Sequence, residues 1–417
     1  MALPFAPPPK SALARYRLLS PSAAVRVSPL CLGTMNFGDA WKGYMGECDQ
    51  ATTESILDFY YDQVRKSIQT AESNDTNVYK GRVGNFLDTA NNYQFQESEK
   101  RIGEWMKKRD NRDEMVIATK YTINFNGGPH EKNIMSNFTG NGTKSMFVSI
   151  RNSLKNLQTD YVDILYVHWW DYSTSIPELM QALNQLVISG KVLYLGISDS
   201  PAWVVAKANA YARQHGLRPF SVYQGLWSAS KRDFEREIIP MCKDEGMGIA
   251  PWGALGGGKF KTEEQRKVKD GRQVEATEAE IKASKVLESI ANRKNTIITS
   301  IALAYVMHKT PYVFPIVGGR KVDHLKGNIE ALNISLSDED IQEIDNAVEF
   351  DLGFPHSFLV QPGQSNGTQD VWLLKMGGTF DYVSDKKIAN HYRAGRHGKH
   401  SSPLRLYTVL PGSHSSY

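Results

Sequence analysis

Short apolar runs alternate along the chain with longer stretches whose apolar residues recur every three or four positions. The runs lie at residues 28–32, 86–87, 115–119, 162–167, 192–197, 221–223, 248–251 and 313–317. Most are almost continuously apolar, which is typical of parallel strands that are covered on both faces. Between runs, spacings such as Phe147, Ile150, Leu154 and Leu157 predict amphipathic helices. Eight β-then-α units without an internal break predict a closed (β/α)8 TIM barrel, with a doubly wound sheet as the alternative.

A hairpin is predicted in front of the barrel. Residues 15–19 and 24–27 flank the turn-forming sequence Ser-Pro-Ser at residues 20–22. Two short strands joined by such a turn form an antiparallel pair, which we expect to cap the barrel floor. The barrel domain is therefore predicted to span residues 15–350, preceded by a tail at residues 1–14.

Two further segments do not fit the repeat. Residues 63–84 are polar and form a predicted insertion between the first helix and the second strand. Residues 351–417 begin near the end of the last helical pattern and become rich in Ser, Pro and basic residues. We predict that they form an irregular C-terminal extension whose last part is disordered.

Composition and charge narrow the class of protein. Hydrophobic residues make up 41% of the chain and charged residues 23%, as in ordinary folded domains. A formal net charge of +4 is too small to indicate a nucleic-acid partner. Three cysteines without a C-x-x-C pair exclude a disulfide framework. No apolar run approaches the roughly 20 residues that span a bilayer, and no secretory signal is recognisable, so we predict a cytoplasmic location without a membrane partner; the oligomeric state stays open.

Four ionisable residues follow three consecutive predicted strands. The second run ends in Asp88 with Tyr93 on the following loop, the third ends in Lys120, and the fourth ends in His168. Taken singly, such residues more often cap helices, face solvent or lie satisfied in a core. In (β/α)8 enzymes, however, the catalytic groups lie at the carboxyl ends of the strands. The four residues are therefore predicted to share one catalytic bowl.

The chemistry of this quartet is that of a proton donor. A lysine ammonium close to Tyr93 would lower the phenol's pKa from about 10 by about one to three units. Asp88 would keep Lys120 protonated, Tyr93 would protonate a carbonyl oxygen, and His168 would donate a second hydrogen bond to that oxygen. Because the quartet has no nucleophile, the reaction requires a hydride source.

The segment from Asp88 to Tyr93, followed by Glu97, Ser98 and Glu99, resembles the aldo-keto reductase superfamily, as do residues 190–198 and 316–321. Residues 250–258 resemble its fungal branch of aryl-alcohol dehydrogenases and norsolorinic-acid-reductase-like enzymes. The resemblance covers roughly residues 16–350. It implies a barrel, NADPH-dependent carbonyl reduction without a metal, and catalytic roles for Asp88, Tyr93, Lys120 and His168.

The resemblance also implies residues that hold the nicotinamide end of NADPH. Ser198, Asp199 and Gln224 would bind the carboxamide, although Asp199 replaces the family's asparagine and cannot donate a hydrogen bond when ionised. Trp252 would stack on the nicotinamide ring. The small residues of the following loop would let backbone N–H groups approach the pyrophosphate; they are Gly253, Leu255, Gly256 and Gly258. The opposite side would be lined by Gly33, Thr34 and Met35.

The last strand is implied to serve the adenine end. Arg320 and Lys321, after Gly318, would bind the 2′-phosphate that distinguishes NADPH from NADH. Asn328 would contact adenine, and His324 stands where some family members have arginine. A P-loop is the alternative for residues 253–259, but Phe260 occupies the position at which Ser or Thr must bind Mg²⁺.

The loops at the expected mouth are rich in aromatic rings, which suit a planar substrate. The predicted substrate contacts are Phe37, Trp41, Phe125, Trp169 and Trp227, with Trp170 and Tyr172 nearby. Core packing under long loops explains these rings equally well. We predict reduction of an aromatic or polyketide-type carbonyl, a small-molecule partner. The alternatives are a cofactor-binding regulatory subunit with little turnover and a metal-dependent barrel hydrolase.

Overall fold

The computed structural model describes residues 8–9, 11–62, 83–128, 134–267, 275–359 and 371–379. Residues 63–82 of the predicted insertion, most of the predicted tail, and residues 360–370 and 380–417 of the predicted extension lie outside these ranges. The strands are β1 (Arg17–Ser20), β2 (Ala23–Val27), β3 (Cys31–Gly33), β4 (Phe86–Asp88), β5 (Val116–Tyr121), β6 (Val162–Val167), β7 (Val192–Ser198), β8 (Phe220–Leu226), β9 (Gly248–Trp252) and β10 (Ile316–Val317).

Helices separate the strands from β3 onward. They are α1 (Lys42–Met45), α2 (Gln50–Tyr61), α3 (Glu97–Arg109), α4 (Thr143–Leu157), α5 (Ile176–Ile188), α6 (Ala202–Gln214), α7 (Ile238–Asp244), α8 (Glu263–Lys267), α9 (Glu278–Arg293), α10 (Ile298–Lys309), α11 (Val322–Glu330), α12 (Asp338–Asp345) and α13 (His356–Leu359). Among the helices of the described ranges, none is both long and apolar enough to cross a membrane.

The eight strands β3 to β10 form one parallel sheet in the order β10-β3-β4-β5-β6-β7-β8-β9. The two ends of this order meet just before β10. There the Ile249 N–H donates to the Tyr312 carbonyl at 2.9 Å, and the Phe314 N–H donates to the Ile249 carbonyl at 2.8 Å. The sheet is thereby closed, and the predicted (β/α)8 barrel is confirmed.

The hairpin β1–β2 caps the floor of the barrel, as predicted. Leu19 and Val27 pack in the same apolar cluster as Phe86 and Ile164, which lie on barrel strands. The contact is close enough to require a glycine at the start of β9, because a Cβ on Gly248 would lie 2.2 Å from the Leu19 carbonyl oxygen. The floor is therefore sealed, and access is left to the opposite end.

The first and last barrel strands are shorter than their apolar runs. Pro29 lacks an N–H group, and the Ser28 N–H donates instead to the Asn85 side chain at 2.8 Å, so β3 begins only at Cys31. Pro315 likewise interrupts the last run, leaving an isolated bridge at Val313 and a two-residue strand. Both differences follow from proline's missing donor.

Candidate active site

The quartet predicted from the strand ends comes together in the structure. Asp88 ends β4, Lys120 lies near the end of β5, and His168 follows β6 directly. The Lys120 Nζ lies 2.5 Å from Asp88 Oδ1, 2.7 Å from the Thr89 carbonyl oxygen and 3.2 Å from the Tyr93 hydroxyl. The Tyr93 and His168 rings meet edge to face, with centroids 6.0 Å apart. One lysine therefore links an acid, a backbone carbonyl and a phenol.

The lysine and the aspartate form a buried ion pair. Lys120 is fully buried and Asp88 is 3% exposed. Burial acts to lower the pKa of Lys120, but the charges of Asp88 and Tyr93 raise it, and the net direction is upward. The second oxygen of Asp88 accepts a hydrogen bond from Gln224 at 2.9 Å. Lys120 therefore stays protonated and keeps its positive charge beside the Tyr93 hydroxyl.

The pKa of Tyr93 departs from the direction expected of the lysine alone. Burial raises the pKa of Tyr93, and the lowering effect of Lys120 is not large enough to offset it. The predicted lysine interaction is present, but the predicted net lowering is wrong, because the pKa of Tyr93 is raised. The phenol accordingly stays protonated at neutral pH, which is the form that a proton donor requires.

The imidazole of His168 is neutral. Burial, together with the charge of Lys120, lowers its pKa well below 6.5. Its Nδ1 is buried and has no hydrogen-bond partner. An unpaired buried N–H costs more than an unpaired lone pair, so we assign the hydrogen to Nε2. In the described ranges, no three His, Cys, Asp or Glu side chains group so as to hold a metal ion.

The residues expected at the nicotinamide lie on the next three strands. Ser198 pairs with Gln224 across β7 and β8, and Leu226 pairs with Trp252 across β8 and β9. Gln224 connects them to the quartet through Asp88. Asp199 adopts φ 40 and its carboxylate accepts from the Trp252 indole N–H at 3.1 and 3.3 Å. Its pKa is raised, mainly by burial. The aspartate thus fixes the tryptophan that is 39% exposed at the bowl.

The loop after β9 has the backbone that a phosphate site needs. Gly253, Gly256, Gly257 and Gly258 all have φ between 61 and 89, a region open to glycine at no steric cost. Turns that combine right-handed and left-handed residues point their successive N–H groups toward one side, which binds anions. The loop therefore fits a pyrophosphate, whereas Leu255 only precedes the short 3-10 turn there.

On the opposite side of the active site, the segment after β3 carries one buried and one exposed side chain. The Thr34 hydroxyl is buried and bonds the Asp88 carbonyl at 2.9 Å and Ser98 at 2.8 Å, so this side chain serves the barrel wall. Met35 is 40% exposed. Gly33 leaves no room for a side chain, because its Cβ would lie 2.6 Å from Ile316.

The residues after β10 place cations at the surface. Arg320 and Lys321 are exposed, and so is His324. The Arg320 guanidinium packs onto Gly46, where a Cβ would lie 1.7 Å from Nη1. A Cβ on Gly318 would lie 3.4 Å from the Gly33 carbonyl oxygen. Asn328 is buried in α11. An anionic phosphate could reach the two cations, but the Asn328 side chain has little open surface.

The five predicted aromatic contacts separate into two groups. Phe37 and Trp227 are fully buried and Phe125 is 5% exposed; Trp227 stacks on Phe234 with centroids 6.0 Å apart. Phe37 and Trp227 belong to the core packing that we kept as the alternative, and Phe125 packs edge to face on Phe138 with centroids 5.5 Å apart. The other two rings contact residues of the quartet. The Trp41 ring lies 6.4 Å from that of Tyr93, and the Trp169 ring lies 5.1 Å from that of His168.

Sequence comparisons agree with this geometry. Residues 29–349 match the model of the Aldo/keto reductase family. The chain is 55% identical to norsolorinic acid reductase B of Dothistroma septosporum, over 89% of this chain and 93% of the relative. It is 45% identical to aryl-alcohol dehydrogenase [NADP(+)] of Phanerodontia chrysosporium, over 93% of this chain and 95% of the relative. The chain is 51% identical to norsolorinic acid reductase of Aspergillus flavus, over 95% of this chain and 98% of the relative.

Proposed function

This chain belongs to the aldo/keto reductase family, and on that premise we propose that it reduces an aromatic or polyketide-type aldehyde or ketone, with Tyr93 as the proton donor. It is an NADP-dependent oxidoreductase, and NADPH when bound supplies the hydride. The observation that carries the proposal is the buried Lys120, 2.5 Å from Asp88 and 3.2 Å from the Tyr93 hydroxyl.

The proton transfer follows from this arrangement. As a carbonyl oxygen gains negative charge, the O–H bond of Tyr93 breaks and the O–H bond of the alcohol forms. The phenolate that remains lies 3.2 Å from the Lys120 ammonium, which stabilises it in a site of low dielectric constant. Asp88 stays hydrogen-bonded to the lysine and helps to keep it charged.

His168 orients the same carbonyl oxygen. Its neutral Nε2–H can donate a hydrogen bond, and its ring stands edge-on to Tyr93. A donor placed where negative charge develops stabilises the transition state more than the ground state. Two donors, the phenol and the imidazole, then define one position for the oxygen.

The substrate class follows from the two rings beside the quartet and from the relatives. The Trp41 ring lies beside Tyr93 and the Trp169 ring lies beside His168, and both are apolar. Two relatives are named norsolorinic acid reductase B and aryl-alcohol dehydrogenase [NADP(+)], and an aryl alcohol carries an aromatic ring. At the cofactor end, we assign the glycine loop after β9 to the pyrophosphate and Arg320 and Lys321 to the 2′-phosphate.

A panel of carbonyl compounds tests this proposal. We expect kcat/KM for substituted benzaldehydes and anthraquinone ketones to exceed that for short aliphatic aldehydes by about tenfold or more, since each buried ring adds apolar contact. The measurement is the loss of NADPH absorbance in the presence of each compound. Preference for the aliphatic aldehydes would contradict the substrate class. Binding of NADPH without turnover of any carbonyl would favour the regulatory alternative.

The pH dependence of carbonyl reduction is expected to be flat. The pKa of His168 is held well below 6.5 and that of Tyr93 lies above 10.0, so both donors keep their protons between these values. We therefore expect kcat/KM to show no titration from about pH 7 to about pH 10. A fall in kcat/KM with a midpoint near pH 8 would mean that the phenol ionises at lower pH than its burial implies.

A further inference from the structure

Three consecutive residues directly after Tyr93 adopt a left-handed backbone. Gln94, Phe95 and Gln96 have φ values of 51, 47 and 78. None is glycine or asparagine, so each is strained relative to a right-handed turn. Such strain persists only where the surrounding structure holds it, and it concentrates at functional sites.

The side chain of Gln94 holds this turn against the loop between β3 and α2, residues 34–49, which we call the first loop. Gln94 is fully buried. Its Oε1 accepts the Trp41 N–H at 2.6 Å, and its Nε2 donates to the Met35 carbonyl at 3.1 Å. Gly38 lets the first loop pass close by, since a Cβ there would lie 2.5 Å from that of Gln94. The oxygen and the nitrogen of the Gln94 side-chain amide therefore both bind the first loop.

The ring of Trp41 is held from the same place. It packs edge to face on Tyr93, with centroids 6.4 Å apart, and on Phe95, with centroids 5.9 Å apart. Gln94 fixes the Trp41 backbone, while the residues on either side of Gln94 contact the Trp41 ring. The buried amide of Gln94 and the two flanking rings thus together place this indole beside Tyr93.

We propose that Gln94 is a positioning residue that holds Trp41 as the aromatic-selecting wall beside Tyr93. The proposal rests on the proposed function, in which Tyr93 protonates the carbonyl oxygen. Gln94 does not itself face the bowl, and its influence on the substrate passes through the indole. It would select aromatic carbonyls by ground-state contact and leave proton transfer to the quartet.

The first loop has a second attachment that does not involve Gln94. Arg101 on α3 donates to Asp39 at 2.8 Å and also to the Cys48 carbonyl. The Asp39 N–H donates to Glu97 at 2.7 Å. Because these bonds remain when Gln94 is replaced, the loop stays attached to the barrel, and the change is confined to the part that carries Trp41.

Gln94→Met tests the proposal, with Gln96→Met as the matched control. Gln96 lies in the same strained turn, but its amide accepts from Asn152 at 2.8 Å and donates to the Phe125 carbonyl at 3.3 Å, away from the first loop. We expect Gln94→Met to raise KM for an aromatic carbonyl about tenfold, with kcat and the KM of a short aldehyde within about twofold. An equal loss of kcat on both substrates, or the same KM shift in Gln96→Met, overturns the proposal.

A double-mutant cycle asks whether the effect passes through Trp41. In a Trp41→Ala background, Gln94→Met should change KM for the aromatic carbonyl by less than about twofold, because the wall that it positions is gone. Full additivity of the two substitutions would show that Gln94 acts by another route, and the proposal would be wrong.

Hydrogen exchange provides a readout that needs no turnover. In the full chain, peptides containing Trp41 should exchange about tenfold faster in Gln94→Met than in wild type, because the Trp41 N–H loses its buried acceptor. Gln96→Met should leave them unchanged. If wild type reduces no carbonyl, the proposed function fails, yet unchanged exchange in Gln94→Met would still separately overturn the positioning role.

Discussion

Tyr93→Phe is expected to lower kcat for carbonyl reduction by about a hundredfold to ten-thousandfold, the usual contribution of a positioned proton donor. The substitution removes only the hydroxyl, so the ring contacts with Trp41 and His168 remain. Lys120 keeps Asp88 and the Thr89 carbonyl as partners. KM should therefore change little, and the loss should appear almost entirely in kcat.

Tyr166→Phe is the matched control for that measurement. Tyr166 is fully buried in the barrel interior, and its ring lies 5.9 Å from the Lys120 Nζ. Gly196 accommodates it, since a Cβ there would lie 2.5 Å from the ring. This phenol is close to the same lysine but is fully buried, so its hydroxyl should matter far less for kcat than that of Tyr93. Retention of most turnover in Tyr93→Phe would remove the assigned donor role.

The barrel could be predicted from the chain because its strands are continuous apolar runs. Strand β6 coincides with its run at both ends. Asp88, Lys120 and His168 each lie one residue past such a run, and Tyr93 lies on the loop after Asp88. Strands β3 and β10 each begin three residues after the start of their runs, which Pro29 and Pro315 interrupt. The missing N–H group of proline explains both late starts. The hydrophobic pattern alone does not show where the hydrogen bonds between two strands begin.

The contents of the loops were less predictable. Phe37, Phe125 and Trp227 follow strands just as Trp41 and Trp169 do, and only the path of each loop decides which ring faces the bowl. The left-handed turn at residues 94–96 contains no glycine or asparagine, so the sequence does not indicate it. The Thr89 carbonyl, a third partner of Lys120, is a backbone group and has no sequence signal at all.

The pKa of Tyr93 could likewise be predicted only in part from the sequence. A cation beside a phenol is visible as a motif, and its lowering effect on the pKa of Tyr93 is present. The opposing effect is the burial of the phenol, which depends on the packing of distant segments and is the larger of the two. For a proton donor the correction strengthens the assignment, because the phenol remains protonated over a wider pH range.

Trp227 is fully buried, and its indole contacts a buried ion cluster. Its indole N–H donates to Glu235 at 3.3 Å. Glu235 also accepts from Arg232 at 2.7 Å and lies 3.2 Å from Lys309, and Asp345 lies 2.9 Å from Lys309. Two cations and two carboxylates thus balance in one cluster, which joins the loop after β8 to α10 and α12.

Glu235→Gln is expected to destabilise the fold by about 3–5 kcal/mol, the usual cost of breaking a buried ion pair. The side chain of Glu235 is 2% exposed, and those of its cationic partners are 5% and 6% exposed, so little water can replace the lost charge. Glutamine keeps the shape and one acceptor oxygen. The cost therefore reports the uncompensated positive charge and not a cavity. Chemical denaturation followed by fluorescence measures it.

The same substitution at the surface isolates the effect of burial. Glu278 pairs with Lys282 at 2.8 Å, but the two side chains are 82% and 60% exposed, so Glu278→Gln should leave the denaturation midpoint unchanged. Because the ion cluster does not touch the quartet, kcat of folded Glu235→Gln should stay near that of wild type. Equal midpoints for the two variants would mean that the cluster contributes no more than a solvated pair. A lower kcat at unchanged stability would instead place Glu235 in the support of the active-site loops.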